Sequence, residues 1–347
     1  MRFQCLAKRI IDSKLPDIQQ ISDCSQMKIR SVLFVLPLLC VPHFAWSQNY
    51  PTKAVRLVVP FAPGGGTDLV ARTLAPRLTE ALGHTFIVEN RGGAGGVIGA
   101  DMVAKSTPDG YTLVMGTPGS MTINPNLTAK MPYDTLRDFA PISLATISPF
   151  VLTVHPSLPV KNLKEFIAFA KAQPGRLNYG TSGNGSVAHL STEYLKSLAR
   201  IDLVHVPYKG SSLALTDTLA GQLQVLFDNL PVVQPHIKTG KLRLMGVGTQ
   251  QRSALIPQAP TIAESGVPGY EAGTAFGVMA PAQTPTAVIN RLSQEIVRIL
   301  QNPEIKNRLA TQGLEAVGST PQQYEAHLRA ELAKYARIVK SAGIKVE

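Results

Sequence analysis

The sequence predicts a two-lobed α/β protein, each lobe a mainly parallel sheet flanked by helices, with a ligand cleft between the lobes. Three observations lead there. Short β-branched apolar runs alternate with longer helical stretches, the pattern of βα units. The chain has 347 residues, 44% hydrophobic and 16% charged, enough for two domains with cores of their own. Small-residue turns recur at the carboxyl ends of strands in both halves, where open α/β sheets take their ligands.

Residues 1–47 read as a leader. From Met27, Lys28 and Arg30 precede the apolar run 32–39, and Ala45-Trp46-Ser47 offers small residues where a signal peptidase reads. Translation is therefore expected from Met27 and cleavage near Ser47-Gln48, which makes the product periplasmic. The apolar run is broken by Pro37, Pro42 and His43 and is short for a membrane span. Cys40 follows Leu39, where lipid modification needs a small residue. Cys5, Cys24 and Cys40 all precede Ser47, so the exported domain has neither disulfides nor thiol chemistry. The leader carries six Lys/Arg and three Asp/Glu, and its loss lowers the net charge from +11 to +8, a field that favours anions. The cations are dispersed and only 6% of residues are aromatic, which argues against nucleic acid binding.

Strands are expected over 55–59, 85–89, 111–115, 151–154, 202–206, 223–227 and 242–247, with helices over 69–82, 163–172, 187–198 and 213–220. Pro76 should kink the first helix or end it early. From 286 to about 340 the pattern is two or three amphipathic helices with no strand. Residues 143–148 and the proline-punctuated run 257–270 look like crossings between lobes. That gives a discontinuous first lobe, 48–147 plus 268–347, and a second lobe, 148–267.

Four loops carry the candidate chemistry. Pro60-Phe61-Ala62-Pro63-Gly64-Gly65-Gly66-Thr67-Asp68 turns sharply into a helix whose first N–H groups suit an anion. Gly180-Thr181-Ser182-Gly183-Asn184-Gly185-Ser186 repeats the arrangement ahead of the helix containing His189. Gly116-Thr117-Pro118-Gly119-Ser120 and Lys209-Gly210-Ser211-Ser212 are the other two. Two loops from each lobe imply one shared cleft. Thr67 and Ser186 read equally as helix caps or ligand donors. His189 is placed to cap, pack or donate, and Asp68 to complement the helix dipole or accept from ligand or water. Asp228 ends an apolar strand and faces either the cleft or a turn.

Other chemistries find little support. Gly93, Gly95 and Gly99 give a glycine spacing unlike the dinucleotide fingerprint, and Met115 leads into Gly116 where a ribose-binding acid would stand. That loop reads as one supporting tight packing. Gly180-Thr181-Ser182-Gly183-Asn184 lacks the last glycine of a nucleophile elbow, and no histidines have metal-type spacing. Neither a cofactor, a metal nor an enzymatic activity is expected.

The ordered motifs resemble a known family. Pro63-Gly64-Gly65-Gly66-Thr67-Asp68, Val88-Glu89-Asn90-Arg91 with Gly95-Gly96, Pro108-Asp109-Gly110-Tyr111-Thr112-Leu113, Tyr179-Gly180-Thr181-Ser182-Gly183, Val206-Pro207-Tyr208-Lys209-Gly210 and Pro268-Gly269-Tyr270 are similar to the extracytoplasmic receptors of tripartite tricarboxylate transporters, the Bug receptors. The resemblance spans the whole exported chain. It implies a type II-like periplasmic binding fold that closes on a small carboxylate, with large and small membrane subunits as partners and a monomeric receptor. A sensor reporting to a membrane kinase is the alternative. The implied binding residues are Phe61, Gly64, Gly65, Thr67, Asp68, Ser120, Thr181, Gly183, Ser186, His189, Lys209, Ser211 and Asp228. Ser211-Ser212 depart from the Gly and Ala or Pro common in relatives, and Gly92 stands where proline is common.

Overall fold

The computed structural model describes residues 50–342, and the expected leader lies outside them. The first half of the chain's fold begins with three βα units. Strand β1 (Val55–Val59) leads into α1 (Gly66–Leu82), β2 (Phe86–Asn90) through a glycine-rich turn into α2 (Val97–Ala104), and β3 (Thr112–Gly116) into a tight turn and α3 (Asn124–Leu127). The second half repeats the pattern. After α4 (Leu163–Ala172), β5 (Asn178–Thr181) leads to α5 (Val187–Ala199), β6 (Val204–Pro207) to α6 (Ser211–Leu219), and β7 (Val225–Asn229) to α7 (Leu230–Lys238), followed by β8 (Arg243–Val247).

Two long strands join the halves. β4 (Phe139–Val154) runs from the first sheet into the second, and β9 (Gly273–Pro281) runs back, paired with it antiparallel from Phe139↔Pro281 to Pro149↔Gly273. One sheet has the order β2-β1-β3-β9-β4, the other β8-β4-β7-β5-β6. The triplets β2-β1-β3 and β6-β5-β7 are parallel as expected, but every pairing made by β4 and β9 is antiparallel, so the sheets are mixed.

Three other expectations change. Residues 143–148 do belong to a crossing, as part of β4, whereas 257–270 pack on the second half, with Ala259, Val267 and Tyr270 in its cores. The strand that runs back is β9. Helix α1 passes through Pro76 and ends only at Gly83, whose left-handed φ of 73° suits a residue with no Cβ. Burial of Val70, Leu74 and Leu78 on one face holds the helix together across the missing N–H. The C-terminal segment forms α8 (Thr286–Gln301), α9 (Pro303–Thr311) and α10 (Pro321–Ala342), but Glu315–Ala316 also adds a short strand, β10, to β4.

Cores lie on both faces of each sheet. Leu57, Leu74, Leu113 and Ile296 pack on one face of the first sheet, and Val58, Val114, Met121 and Tyr324 on the other. In the second, Phe150, Phe166, Tyr179, Phe227 and Tyr335 cover one face and Val151, Leu226, Leu230 and Val247 the other. Helix α10 contributes to both halves, through Tyr324 in the first and Tyr335 in the second.

Candidate functional site

The four glycine- and serine-rich loops meet. The Ala62 N–H donates to the Lys209 carbonyl at 3.1 Å, and the Ser212 hydroxyl donates to the Pro63 carbonyl at 2.7 Å. Asn124 Nδ2 donates to the carbonyls of both Gly119, 2.9 Å, and Gly185, 3.1 Å. A Cβ on Gly95 would lie 2.3 Å from the Asn184 carbonyl oxygen, and one on Gly185 2.0 Å from Asn124 Oδ1, so the halves touch tightly at both glycine turns. Gly93, Gly95 and Gly96 serve packing, as expected.

These contacts enclose a cavity of about 30 Å³, room for about two water molecules. Gly65, Gly66 and Thr67 at the start of α1 line one side, and Val187 and Ala188 at the start of α5 line the other. No side chain caps α1, and Ser186 Oγ caps α5 by accepting from the His189 N–H at 3.3 Å. The first N–H groups of a helix have no intrahelical acceptor and carry its positive end, so two such ends from opposite halves face one space. Phe61, Phe150 and Phe276 supply the apolar wall, and Thr117, Ser182, Ser211, Asp228, Asn229 and Thr274 the remaining polar surface.

Of the expected residues, Phe61, Gly65, Thr67, Ser211 and Asp228 line this cavity. Gly64 makes the turn behind it, at φ 86°, and donates its N–H to Asp68 Oδ2 at 3.0 Å. Asp68 belongs to the loop and not to the cavity: it also accepts from Arg72 Nε and Asn90 Nδ2, both at 2.9 Å. Burial acts to raise its pKa, but the bonds from Arg72, Gly64 and Asn90 and the Arg72 charge hold it below the usual carboxylate range. Ser120 is fully buried within its own turn, bonded to Thr117, and Thr117 reaches the cavity in its place. Lys209 closes the halves through its carbonyl, while its side chain is exposed.

Thr181, Gly183 and His189 form the back of the second-half loop. The Gly183 N–H donates to Thr181 Oγ1 at 3.2 Å, the Gly185 N–H donates to His189 Nδ1 at 3.2 Å, and Thr181 Oγ1 lies 2.6 Å from His205 Nε2. The two imidazoles stack at 4.2 Å. Burial lowers the pKa of both, that of His205 to about 4, where the neighbouring His189 adds to the effect and Glu193 opposes it. His205, beneath the loop, was not among the sequence candidates, and its only signal is a strand position opposite Tyr179, two residues before Thr181.

A pH dependence follows. The depressed His205 pKa means the folded protein binds fewer protons than the unfolded chain between about pH 6.5 and 4, so stability present above 6.5 is lost as pH falls through that window. Urea unfolding at pH 7.5 and 4.5 should show wild type losing roughly 1–2 kcal/mol relative to His205→Phe, after discounting for the ring's partial exposure. Parallel pH profiles would remove the imidazole from this account.

Beside α10 lies a larger cavity, about 440 Å³, lined by Arg252, Glu271, His327 and Lys334 among others. Its charges are spent on one another or on neighbours: Arg252 on Glu264, and Lys334 on Glu331 and Glu271. It offers no convergent donors, unlike the cavity between the helix ends.

The sequence model of the tripartite tricarboxylate transporter family receptor matches residues 70–344. The chain belongs to that receptor family. Among individual members it is similar to Protein BugT of Bordetella pertussis, 37% identical over 302 residues that cover 87% of this chain and 93% of BugT. Two solved structures share the fold at high coverage. An R. palustris protein solved with adipate superposes with a TM-score of 0.83 at 40% identity, over 85% of this chain and 99% of that one. MatC from Rhodopseudomonas palustris, solved with bound malate, gives 0.81 at 31% identity, over 84% and 100%. The receptor fold, and the family's role in binding solutes for transport, are thus those the sequence motifs implied.

Proposed function

We propose that this receptor captures a small organic carboxylate in the cavity between the starts of α1 and α5, by closing its two halves around it. The observation that carries the reading is the convergence of two helix N-termini, one from each half, on one enclosed space. A carboxylate there takes N–H donors from both sides without a cationic partner, and each half alone offers only half of the donors. Adipate and malate in the two related structures have this chemistry.

The cavity takes only about two water-sized groups. A four-carbon dicarboxylate is larger, so the halves must part to admit it and must stand further apart around it than they do here. The lobes assigned are 48–147 with 268–347 and 148–267, moving about β4 and β9. A ligand favours closure only by binding the closed form better than the open one, which this arrangement provides. The closed receptor then presents its solute to the large and small membrane subunits of a transporter, as a periplasmic monomer freed from its leader near Ser47-Gln48 and with no turnover of its own.

Calorimetry of the exported chain with mono-, di- and tricarboxylates tests the reading. At least one should bind, and Thr67→Ala with Ser186→Ala should weaken it by about tenfold or more, through the loss of two hydroxyls at the helix ends. Binding that survives both substitutions, or no binding by any acid, would dismiss the site.

A further inference from the structure

The cavity has a second chemical face. Asp228 ends β7 and is 2% exposed. Its Oδ1 accepts from the Asn229 N–H at 2.7 Å and from Asn229 Nδ2 at 3.0 Å, whereas its Oδ2 has no hydrogen-bond partner. The same contact fixes the Asn229 amide: with Nδ2 committed to Asp228, Oδ1 points elsewhere, and it too is buried without a partner. Both residues line the cavity. Two unpaired acceptors therefore line a space that also holds the donor ends of α1 and α5 and the hydroxyls of Thr117, Ser182 and Ser211.

Their position narrows what they face. A Cβ on Gly66, the first residue of α1, would sit 3.2 Å from Asn229 Nδ2 and 3.3 Å from its Cγ. The Asn229 amide that carries one of the acceptors thus packs against the helix end that receives the carboxylate, and Asp228 is held to that amide by hydrogen bonds. A bare alkyl carboxylate would leave both oxygens desolvated and unpaired, which costs about 1–3 kcal/mol per group.

On the reading of this site as a carboxylate receptor, we propose that the ligand carries a hydrogen-bond donor on the carbon next to its carboxylate, as 2-hydroxy and 2-amino acids do, and that Asp228 Oδ2 and Asn229 Oδ1 receive that donor. The substituent supplies the hydrogens that the protein withholds, and the carboxylate takes the hydrogens it offers. Burial pushes the Asp228 carboxyl up to about 7, against the lowering effect of Asn229 and of the nearby Ser211 hydroxyl, so the carboxylate is the acceptor only above that pH.

Three matched series test this by calorimetry at about pH 8, where Asp228 is ionised: propionate, lactate and alanine; succinate, malate and aspartate; glutarate, 2-hydroxyglutarate and glutamate. In the series that fits the cavity, a 2-substituted acid should bind at least about tenfold more tightly than its parent. In Asp228→Ala that ratio should fall toward one, and the wild-type ratio decides the matter even if the variant fails to fold. If parent acids bind as tightly as their 2-substituted analogues, the proposal is overturned while the carboxylate receptor stands. The same holds if parent acids bind only as pH drops below about 7, because a protonated Asp228 would then be the donor. If no acid in any series binds, both readings fail.

Discussion

Replacing Gly95 with alanine should weaken binding of the tightest carboxylate by about ten- to a hundredfold while leaving the unfolding midpoint within a few degrees of wild type. Gly95 holds φ 60°, a left-handed conformation that costs an alanine roughly 1 kcal/mol. That term acts in open and closed forms alike. The added methyl would also stand 2.3 Å from the Asn184 carbonyl oxygen and 3.0 Å from the Gly185 carbonyl carbon, both in the opposite half. Real carbon and oxygen atoms need about 1 Å more, so the loops must part. Parting them separates the starts of α1 and α5, which must approach together to share a carboxylate. The loss therefore falls on the closed form, and binding registers it where thermal melting does not. Wild-type affinity in Gly95→Ala would show that the halves do not close on this contact.

A change of similar size at Gly277 should act on stability instead. Gly277 lies in the middle of β9, opposite Gly116 on β3 and Leu144 on β4. A Cβ there would be 2.3 Å from Tyr324 Cζ and 2.4 Å from its hydroxyl oxygen. The ring is 2% exposed in a core with Met121, Tyr133 and Phe139, so it has nowhere to swing. Overpacking of this kind costs about 1–3 kcal/mol or more, and Gly277→Ala should lose about 3 kcal/mol in urea unfolding. The contact should also make Gly277→Ala and Tyr324→Leu strongly non-additive, with the second change recovering part of the first. Additive losses would place the strain elsewhere.

Most of the short strands were legible because their patterns are local, although β5, in the middle of the second parallel triplet, was not among those expected. β1, β2, β3, β7 and β8 begin within two residues of their expected starts, since each is a short β-branched run bounded by turn residues. Of the two joining strands only the end of β4, 151–154, was legible, and the rest escaped for a shared reason. Pro141 and Pro149 in β4 and Gly273 and Gly277 in β9 read as turn signals, and register shifts near Pro141 and Leu144 absorb the irregularity. Both strands are covered on two faces, which removes the alternation that marks a half-buried strand. The site inherits this division. Glycine loops and helix starts pointed to Gly65, Thr67 and Asp228, but Phe150, Thr274 and Phe276 come from the unseen parts of those strands. His189 and Asp68 have the residue types of ligand contacts, and only their partners, Gly185 and Arg72 with Asn90, show them holding loops in shape.

Helix α10 bears on how such a molecule moves. Tyr324 and Tyr335 are three turns apart on one rigid rod, about 16 Å along its axis, yet each is rooted in a different core. A rotation of one sheet against the other cannot leave both roots undisturbed: the rod must slide over one core, or twist, or let one tyrosine go. The elasticity of the receptor is therefore set partly at its carboxyl end, far in sequence from the glycine loops, and the restoring force against opening depends on a segment that never meets the solute.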